Sequence, residues 1–300
     1  MGFDLVCAGS ACIDIVARVP RLPGPDQSLP IEAWTQQGGG KVATAAVAAA
    51  RLGLRVAFVG AVGDDALGRQ IWDEFAAAGV DLSAAERQTG RTSDLSIVLA
   101  DAATHTRAIL WSKGTARLER LSAEAAGHIA GASYLLISDA SAPVRDALHA
   151  GRAAGVTVVM DADFYSPELA GLLDQVDVCI ASRDFAQGWM PGASPETVVR
   201  RLPCATAIVT LGAHGAVVRH KDDVWTVPAF AVEVVDTTGA GDVYHGAFVA
   251  ALHYRLPVRE AARYAAAAAA LSCRALGGRG ALPSHHETLA FLSQQPGGAS

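Results

Sequence analysis

Val234-Val235-Asp236-Thr237-Thr238-Gly239-Ala240-Gly241-Asp242-Val243-Tyr244-His245-Gly246-Ala247-Phe248 runs from an apolar strand end through a turn of small residues into a helix. Phe248 to Leu252 continue an apolar helical face, so Gly239, Ala240 and Gly241 fall where the unpaired N–H groups of a helix N-terminus point outward. Residues this small let a phosphate come close, and the helix dipole favours the negative charge of a phosphoryl group in transfer. The turn reads as an anion hole. Asp242 falls in the first helical turn, where a carboxylate is favoured in its ionised form. Beside a phosphate cradle it suits removal of the proton from an attacking alcohol. The plainer reading makes Asp242 a helix cap, which a bare Gly-x-Gly-Asp would not exclude.

Upstream of this turn, short apolar runs alternate with helical ones. Leu5 to Ala8, Val56 to Gly60, Tyr134 to Ile137, Val156 to Met160, Val176 to Ile180 and Ala207 to Thr210 read as buried strands. Lys41 to Leu52, Leu67 to Ala78, Ala142 to Ala154 and Pro195 to Leu202 read as helices with Gly or Pro stops. Strand, helix, strand in this rhythm implies right-handed crossovers and a mainly parallel sheet covered on both faces. Ile13 to Trp34 and Leu95 to Trp111 break the rhythm as extended segments without helices, which suits a small projecting sheet that could close over a cleft. After Ala240 the pattern turns to successive helices, Ala240 to Tyr254, Val258 to Ala275 and a last one near His286 to Ser293.

Composition narrows the class of partner. Of 300 residues 51% are hydrophobic and 18% charged, enough apolar material for a large core. The net charge is −6 with scattered basic residues, so nucleic acid is not an expected partner. Neither is a membrane, since Ala265 to Leu271, the longest apolar stretch, falls well short of a span of about 20 residues. The start, Met1-Gly2-Phe3-Asp4, has neither a basic leader nor a myristoylation pattern. Cys7, Cys12, Cys179, Cys204 and Cys273 form no CxxC pair and read as reduced thiols, which with the plain N-terminus leads to the expectation of a cytoplasmic protein. His245 and the pair His285-His286 lack acidic or Cys partners at metal-ligand spacing and read as surface or near-site polar residues.

Asp236 to Asp242 resembles the C-terminal signature of the ribokinase-like (PfkB) family of carbohydrate and nucleoside kinases. Gly38-Gly39-Gly40-Lys41-Val42-Ala43-Thr44 through Arg51-Leu52-Gly53 is similar to its N-terminal signature, followed by Gly60-Ala61-Val62-Gly63-Asp64-Asp65 and Gly68. The resemblance covers nearly the whole chain. It implies a three-layer α/β fold with a mainly parallel central sheet and a small β-sheet lid. The expected organisation is one domain over 1–295, lid strands at about 13–35 and 94–112, and a frayed tail at 296–300.

It further implies ATP and Mg²⁺ as cofactors, Asp242 as base, and Gly239, Ala240 and Gly241 as the anion hole. Asp14, Gly39, Gly40, Lys41 and Thr44 match sugar-binding positions, while Ser182, Thr210, Gly212, Gly215, Cys273 and Gly277 match the nucleotide side. As a bare pattern, Thr210 to Gly215 would also pass for a hairpin turn. Asp236 and Thr238 match positions that hold a monovalent cation in some members, which raises potassium as a further cofactor. Thr44 stands where many relatives carry Asn, and Ala181-Ser182-Arg183-Asp184-Phe185 stands where Asn-x-x-Glu is expected; a ketohexokinase-like branch is similar at the second place and points to a ketose. The residues expected to choose the sugar include Ser28, Trp34, Arg107 and Trp111.

The function implied is ATP-dependent phosphorylation of a hydroxyl on a ketose, pentose or sugar acid. A nucleoside kinase of the same family and a catalytically silent sugar or nucleotide sensor stay open beside it. A dinucleotide-dependent dehydrogenase is disfavoured, because Ala8-Gly9-Ser10-Ala11-Cys12 follows the first strand in place of G-x-G-x-x-G. The open edge of the lid strands suggests a homodimer.

Overall fold

The computed structural model describes residues 2–295; the tail expected to fray, 296–300, lies outside them. In chain order the strands are β1 Leu5–Ala8, β2 Cys12–Val19, β3 Ala33–Gly39, β4 Val56–Val59, β5 Ala61–Gly63, β6 Glu86–Gln88, β7 Asp94–Asp101, β8 Arg107–Ser112, β9 Tyr134–Ile137, β10 Thr157–Ala162, β11 Val178–Ser182, β12 Thr206–Thr210, β13 Ala216–His220 and β14 Asp223–Val227. The helices are α1 Lys41–Arg51, α2 Ala66–Ala77, α3 Ala123–Ala130, α4 Ala142–Ala153, α5 Pro167–Ala170, α6 Arg183–Trp189, α7 Pro195–Arg201, α8 Ala240–His253, α9 Val258–Ser272 and α10 His285–Ser293.

The apolar runs pair into a sheet of order β14-β13-β12-β11-β10-β9-β1-β4. β4 through β12 are parallel, and β13 and β14 extend the sheet antiparallel. Strand alternation splits the core. Leu5 and Cys7 of β1 join Val42, Phe248 and Tyr264 in the layer under α1, α8 and α9. Val6 and Ala8 join Ile129, Leu148 and Val198 on the opposite face, beneath α3, α4 and α7. The buried run of β13 is only Ala216 to Val218, and β14 buries Val227 alone, too little to mark either from sequence. Their place follows from the tight turn after β12, too short for a parallel crossover, and from Arg219, whose guanidinium donates to the carbonyls of Val199, Leu202 and Cys204.

A second sheet, β3-β2-β7-β8, is built from the two extended stretches. β3 continues to Gly39, beyond the expected end near residue 35, because Gly38 and Gly39 pair with Ile13 and Cys12 of β2. The sheet buries Ile13, Val16 and Val98, whereas Trp34, Ile109, Leu110 and Trp111 are exposed. Among the described residues no helix is long and apolar enough to cross a membrane, and all five cysteines are unpaired.

The packing of α1 against α8 positions the rest. Buried faces of both helices are lined with small residues, Ala43, Ala46 and Ala49 on α1 and Ala247, Ala250 and Ala251 on α8. At Gly246 the approach is so close that a Cβ would collide with the Ala45 carbonyl oxygen. Two helices that touch backbone to backbone cannot slide independently. Their N-termini, and with them Lys41 and Asp242, are held within electrostatic reach of each other, near the carboxyl ends of the parallel strands where α/β sheets place their ligands.

Candidate active site

Gly239 is the N-cap of α8, with φ 72, a left-handed conformation that favours glycine. Its missing side chain also matters, because a Cβ there would lie 2.6 Å from the Gly278 Cα. Ala240 and Gly241 follow as the first helical residues and leave their amides free of any side-chain cap. The preceding Asp236 is buried and holds this turn in shape: Oδ1 accepts from the Thr238 amide (3.0 Å) and hydroxyl (2.9 Å), and Oδ2 accepts from the Gly277 amide (2.8 Å). The Cys273 carbonyl accepts from the amides of Val235 and Asp236, so the end of α9 is tied to the same turn. Burial pushes the Cys273 thiol up to about 11.

Asp242 is half-buried at the base of this turn. Its surroundings push its carboxyl well above 3.8, first through desolvation and then through the charges of Asp161 and Asp163, with Lys41 acting the other way. The helix terminus alone therefore does not keep it ionised, as sequence reasoning had it. Desolvation and neighbouring carboxylates oppose the dipole. A carboxylate raised in this way is a stronger base once deprotonated.

Asp161 and Asp163 were missed by sequence reasoning. Both lie at the carboxyl end of β10, in Met160-Asp161-Ala162-Asp163, and the signal available was a pair of acids where a buried strand ends. Asp163 Oδ2 pairs with Lys41 Nζ at 3.2 Å. Lys41 Nζ also lies 5.2 Å from the Phe164 ring centroid. Burial works against the Lys41 charge, but Asp161, Asp163 and Asp242 outweigh it and hold the ammonium above its usual range. Asp161 is buried beside His245, whose Nε2 lies 3.5 Å from Oδ1. His245 is itself buried, with Nδ1 2.6 Å from the Gly241 carbonyl and Nε2 3.2 Å from that of Ile180. It brackets the first turn of α8 against β11.

On the opposite side, the glycine run explains itself by what it admits. A Cβ on Gly39 would collide with the Asp14 carboxylate, and one on Gly38 with the Arg279 guanidinium. Asp14 Oδ1 accepts from the Cys12 thiol at 3.3 Å. Burial pushes the Asp14 carboxyl up from 3.8, against hydrogen bonds from Cys12 and Ser96. Gly40 caps α1, and Thr44 is buried with its hydroxyl 3.4 Å from Arg279 Nε. Asp14, Gly39, Gly40, Lys41 and Thr44 thus come together with Asp242.

The nucleotide-side positions are more dispersed. Ser182 is the N-cap of α6; its hydroxyl accepts from the Phe185 amide at 3.0 Å and donates to the Asp163 carbonyl. Asp184 is exposed. Thr210 ends β12 and donates to the Ala181 carbonyl at 3.3 Å, while Gly212 and Gly215 form the turn of the β12–β13 hairpin. Gly277 is buried, beside Gln37 of β3. Among the residues expected to choose the sugar, Trp34 and Trp111 are exposed at 64% and 69% and Ser28 is exposed. Arg107 reaches the signature turn instead, with Nη1 donating to the Thr237 hydroxyl at 3.3 Å.

This architecture is that of a small-molecule kinase: the fold is the ribokinase-like α/β fold, and it is shared with solved enzymes. A ribokinase from Arabidopsis thaliana, solved with ribose and ATP, superposes with a TM-score of 0.81 at 25% identity over 98% of this chain and 100% of its own. A fructokinase from Xylella fastidiosa with bound ATP gives 0.80 at 25%, over 97% and 98%. In sequence, the ribokinase of Haemophilus influenzae is 30% identical, covering 96% of this chain and 98% of its own length. The 5-dehydro-2-deoxygluconokinase of Bacillus velezensis is 28% identical, covering 98% and 95%. Residues 3–285 match the pfkB family carbohydrate kinase pattern, and the chain belongs to that family as a phosphotransferase acting on sugars with ATP.

The electrostatics of Asp242 have a stability consequence. Its folded pKa lies above the unfolded 3.8, so the folded state carries no penalty below pH 3.8 and acquires one as pH rises through the window to the folded value. Asp242→Asn should therefore melt at a higher temperature than the parent at pH 8, with the gap closing near pH 4. Calorimetric melts at both pH values check this; an Asn variant less stable than the parent at pH 8 would contradict it.

Proposed function

We propose that Asp242 is the general base of this sugar kinase. Its placement carries the proposal: the carboxylate stands between the α8 N-terminus, which has no side-chain cap, and the Asp14–Gly39–Lys41 group, where a sugar hydroxyl and a γ-phosphate would meet. Asp14 and the Gly39–Gly40 turn, with Lys41 and Thr44, bind the sugar. Asp242 takes the proton from the attacking hydroxyl, and the amides of Gly239, Ala240 and Gly241 stabilise the charge on the phosphoryl group. The small sheet closes over the sugar and excludes water.

ATP lies along Ser182, Thr210 and the Gly212–Gly215 turn, with Cys273 and Gly277 beside the base. Mg²⁺ fits through the ATP phosphates and bridging water, since Asp163 is already paired with Lys41 and Asp236 already accepts from Thr238 and Gly277. Bound there, the ion neutralises charge on the phosphates. A monovalent cation would use the oxygen lone pairs that Asp236 and Thr238 have left. The substrate is a ketose, pentose or sugar acid, in keeping with relatives that are ribokinases, a 5-dehydro-2-deoxygluconokinase and a fructokinase. The helix N-terminus beside Asp242, without a side-chain cap, argues against a silent sensor.

Asp242→Asn should lower turnover by roughly 10²- to 10⁴-fold with ATP affinity retained, read by ADP release and by nucleotide titration. Parallel assays in KCl and tetramethylammonium chloride test the monovalent cation. Near-native turnover in the variant would remove Asp242 from the role.

The exposed apolar side chains on the edge strands of the small sheet, Trp34 on β3 and Ile109, Leu110 and Trp111 on β8, are proposed as a homodimer contact, since apolar surface of this kind on open sheet edges favours burial. Trp111→Glu should convert a dimer to a monomer in analytical ultracentrifugation. A parent protein that sediments as a monomer at micromolar concentration would exclude the contact.

A further inference from the structure

Arg279 has no role in the scheme above, yet it is the cation that reaches deepest into the sugar side. It stands on the loop between α9 and α10, two residues past Gly277, while its side chain crosses toward α1 and α2 and is 6% exposed. The guanidinium has three hydrogen-bond partners, each at 3.4 Å, Nη1 to Glu74 Oε2, Nε to the Thr44 hydroxyl and Nη2 to the Gly39 carbonyl, and its Cζ lies 5.5 Å from the Phe75 ring centroid. All three lie at the long end of hydrogen-bond geometry. A guanidinium carries five N–H donors, so among the described residues one on Nη1 and one on Nη2 remain beyond these three bonds. A buried donor without an acceptor is costly and calls for one.

The surroundings show where that acceptor would come from. Gly38 has no side chain that would block the guanidinium, and the neighbouring Gly39 has none that would block Asp14. The loop backbone is fixed as well, because the Arg279 amide donates to Gln37 Oε1 at 2.9 Å and Gln37 Nε2 donates to the Leu276 carbonyl at 3.2 Å. Thr44 offers a single hydroxyl, already turned toward Arg279 Nε. Burial pulls the Arg279 charge down from its usual range, while Glu74, Cys12 and Asp14 support it.

We propose that Arg279 binds the substrate directly and, with Asp14, reads two adjacent oxygen functions of a neutral sugar. This rests on the sugar-kinase reading and deepens it. One hydroxyl donates to the Asp14 carboxylate, and the neighbouring hydroxyl or carbonyl oxygen accepts from the two remaining guanidinium N–H groups. A hydroxyl and a carbonyl side by side meet this arrangement in a ketose, and a vicinal diol meets it in a pentose. A sugar acid does not suit it. Asp14, Glu74, Asp161, Asp163 and Asp242 already outnumber Lys41 and Arg279 as charges around the site, and a substrate carboxylate would add to the excess.

The test is calorimetric binding of D-ribose, D-fructose and 5-dehydro-2-deoxygluconate, with ATP titrated separately, to the parent protein, Arg279→Met and Arg279→Lys. The Met variant should bind the preferred neutral sugar at least about tenfold more weakly with ATP affinity within about twofold, and Lys should recover part of the loss. A neutral sugar that binds parent and Met variant equally would overturn the role of Arg279 and leave the kinase reading standing. Tighter binding of the acid than of either neutral sugar by the parent would overturn the neutral-substrate assignment. If no sugar binds the parent, the sugar-kinase reading and the inference fall together. Should the Met variant fail to fold, Arg279→Gln, which is shorter and neutral but keeps two N–H donors, carries the same comparison.

Discussion

α1 and α8 meet with the Ala45 carbonyl against Gly246, leaving no room for a side chain between them. Everything functional hangs on that contact. α1 begins with Gly40 and Lys41, directly after the strand whose last residues admit Asp14 and Arg279. α8 begins with the Gly239–Gly241 turn and Asp242. Because both helices lie on the same face of the sheet and start near the carboxyl ends of its parallel strands, a close packing distance along their length fixes the separation of their N-termini. Larger residues at the contact would force the helices apart and move the sugar side away from the phosphate side; overpacking of this kind typically costs about 1–3 kcal/mol in stability, and a displacement of even about 1 Å is costly to an in-line transfer.

The second constraint is electrostatic. Asp161, Asp163 and Asp242 are gathered in one partly desolvated space, where burial and the neighbouring carboxylates push Asp161 and Asp242 up. Lys41 is the local counter-charge, and His245 and the amides of α8 hold the geometry. Such a site is destabilising to an isolated fold and useful to a kinase, since a base must hold its proton loosely enough to exchange it near neutral pH. The loop carrying Gly277, Gly278 and Arg279 joins the two constraints. Its Gly277 amide steadies Asp236 under the proposed anion hole, its Gly278 packs on Gly239, and its Arg279 reaches Thr44 and Gly39 on the proposed sugar side.

The sequence was informative where chemistry requires small residues in order. Gly38-Gly39-Gly40 and Gly239-Ala240-Gly241-Asp242 could be read directly, because turns into helix N-termini and close approach constrain residue identity. The parallel strands were legible for the same kind of reason: a strand buried on both faces is a short, unbroken apolar run. β13 and β14 were not, since a half-exposed antiparallel extension mixes Arg219, His220 and Asp223 with its valines. Asp161 and Asp163 were hidden because a carboxylate at a strand end has no local pattern and gains its meaning from Lys41 and His245, distant in sequence. Arg279 was hidden likewise, in a Gly-rich turn where a basic residue would ordinarily be solvated. The upward push on the Asp242 carboxyl was hidden for a related reason: a local dipole is visible in sequence, while burial by the rest of the fold is not.

The central claim is that the α1 and α8 N-termini assemble one site for transfer of the γ-phosphoryl group to a sugar hydroxyl. The most direct measurement is ³¹P NMR of the protein with Mg-ATP and D-ribose or D-fructose. The account predicts loss of the γ-phosphate signal with matching growth of ADP and of a phosphomonoester resonance. Conversion of ATP to ADP with inorganic phosphate and no phosphomonoester, in the presence of either sugar, would contradict it.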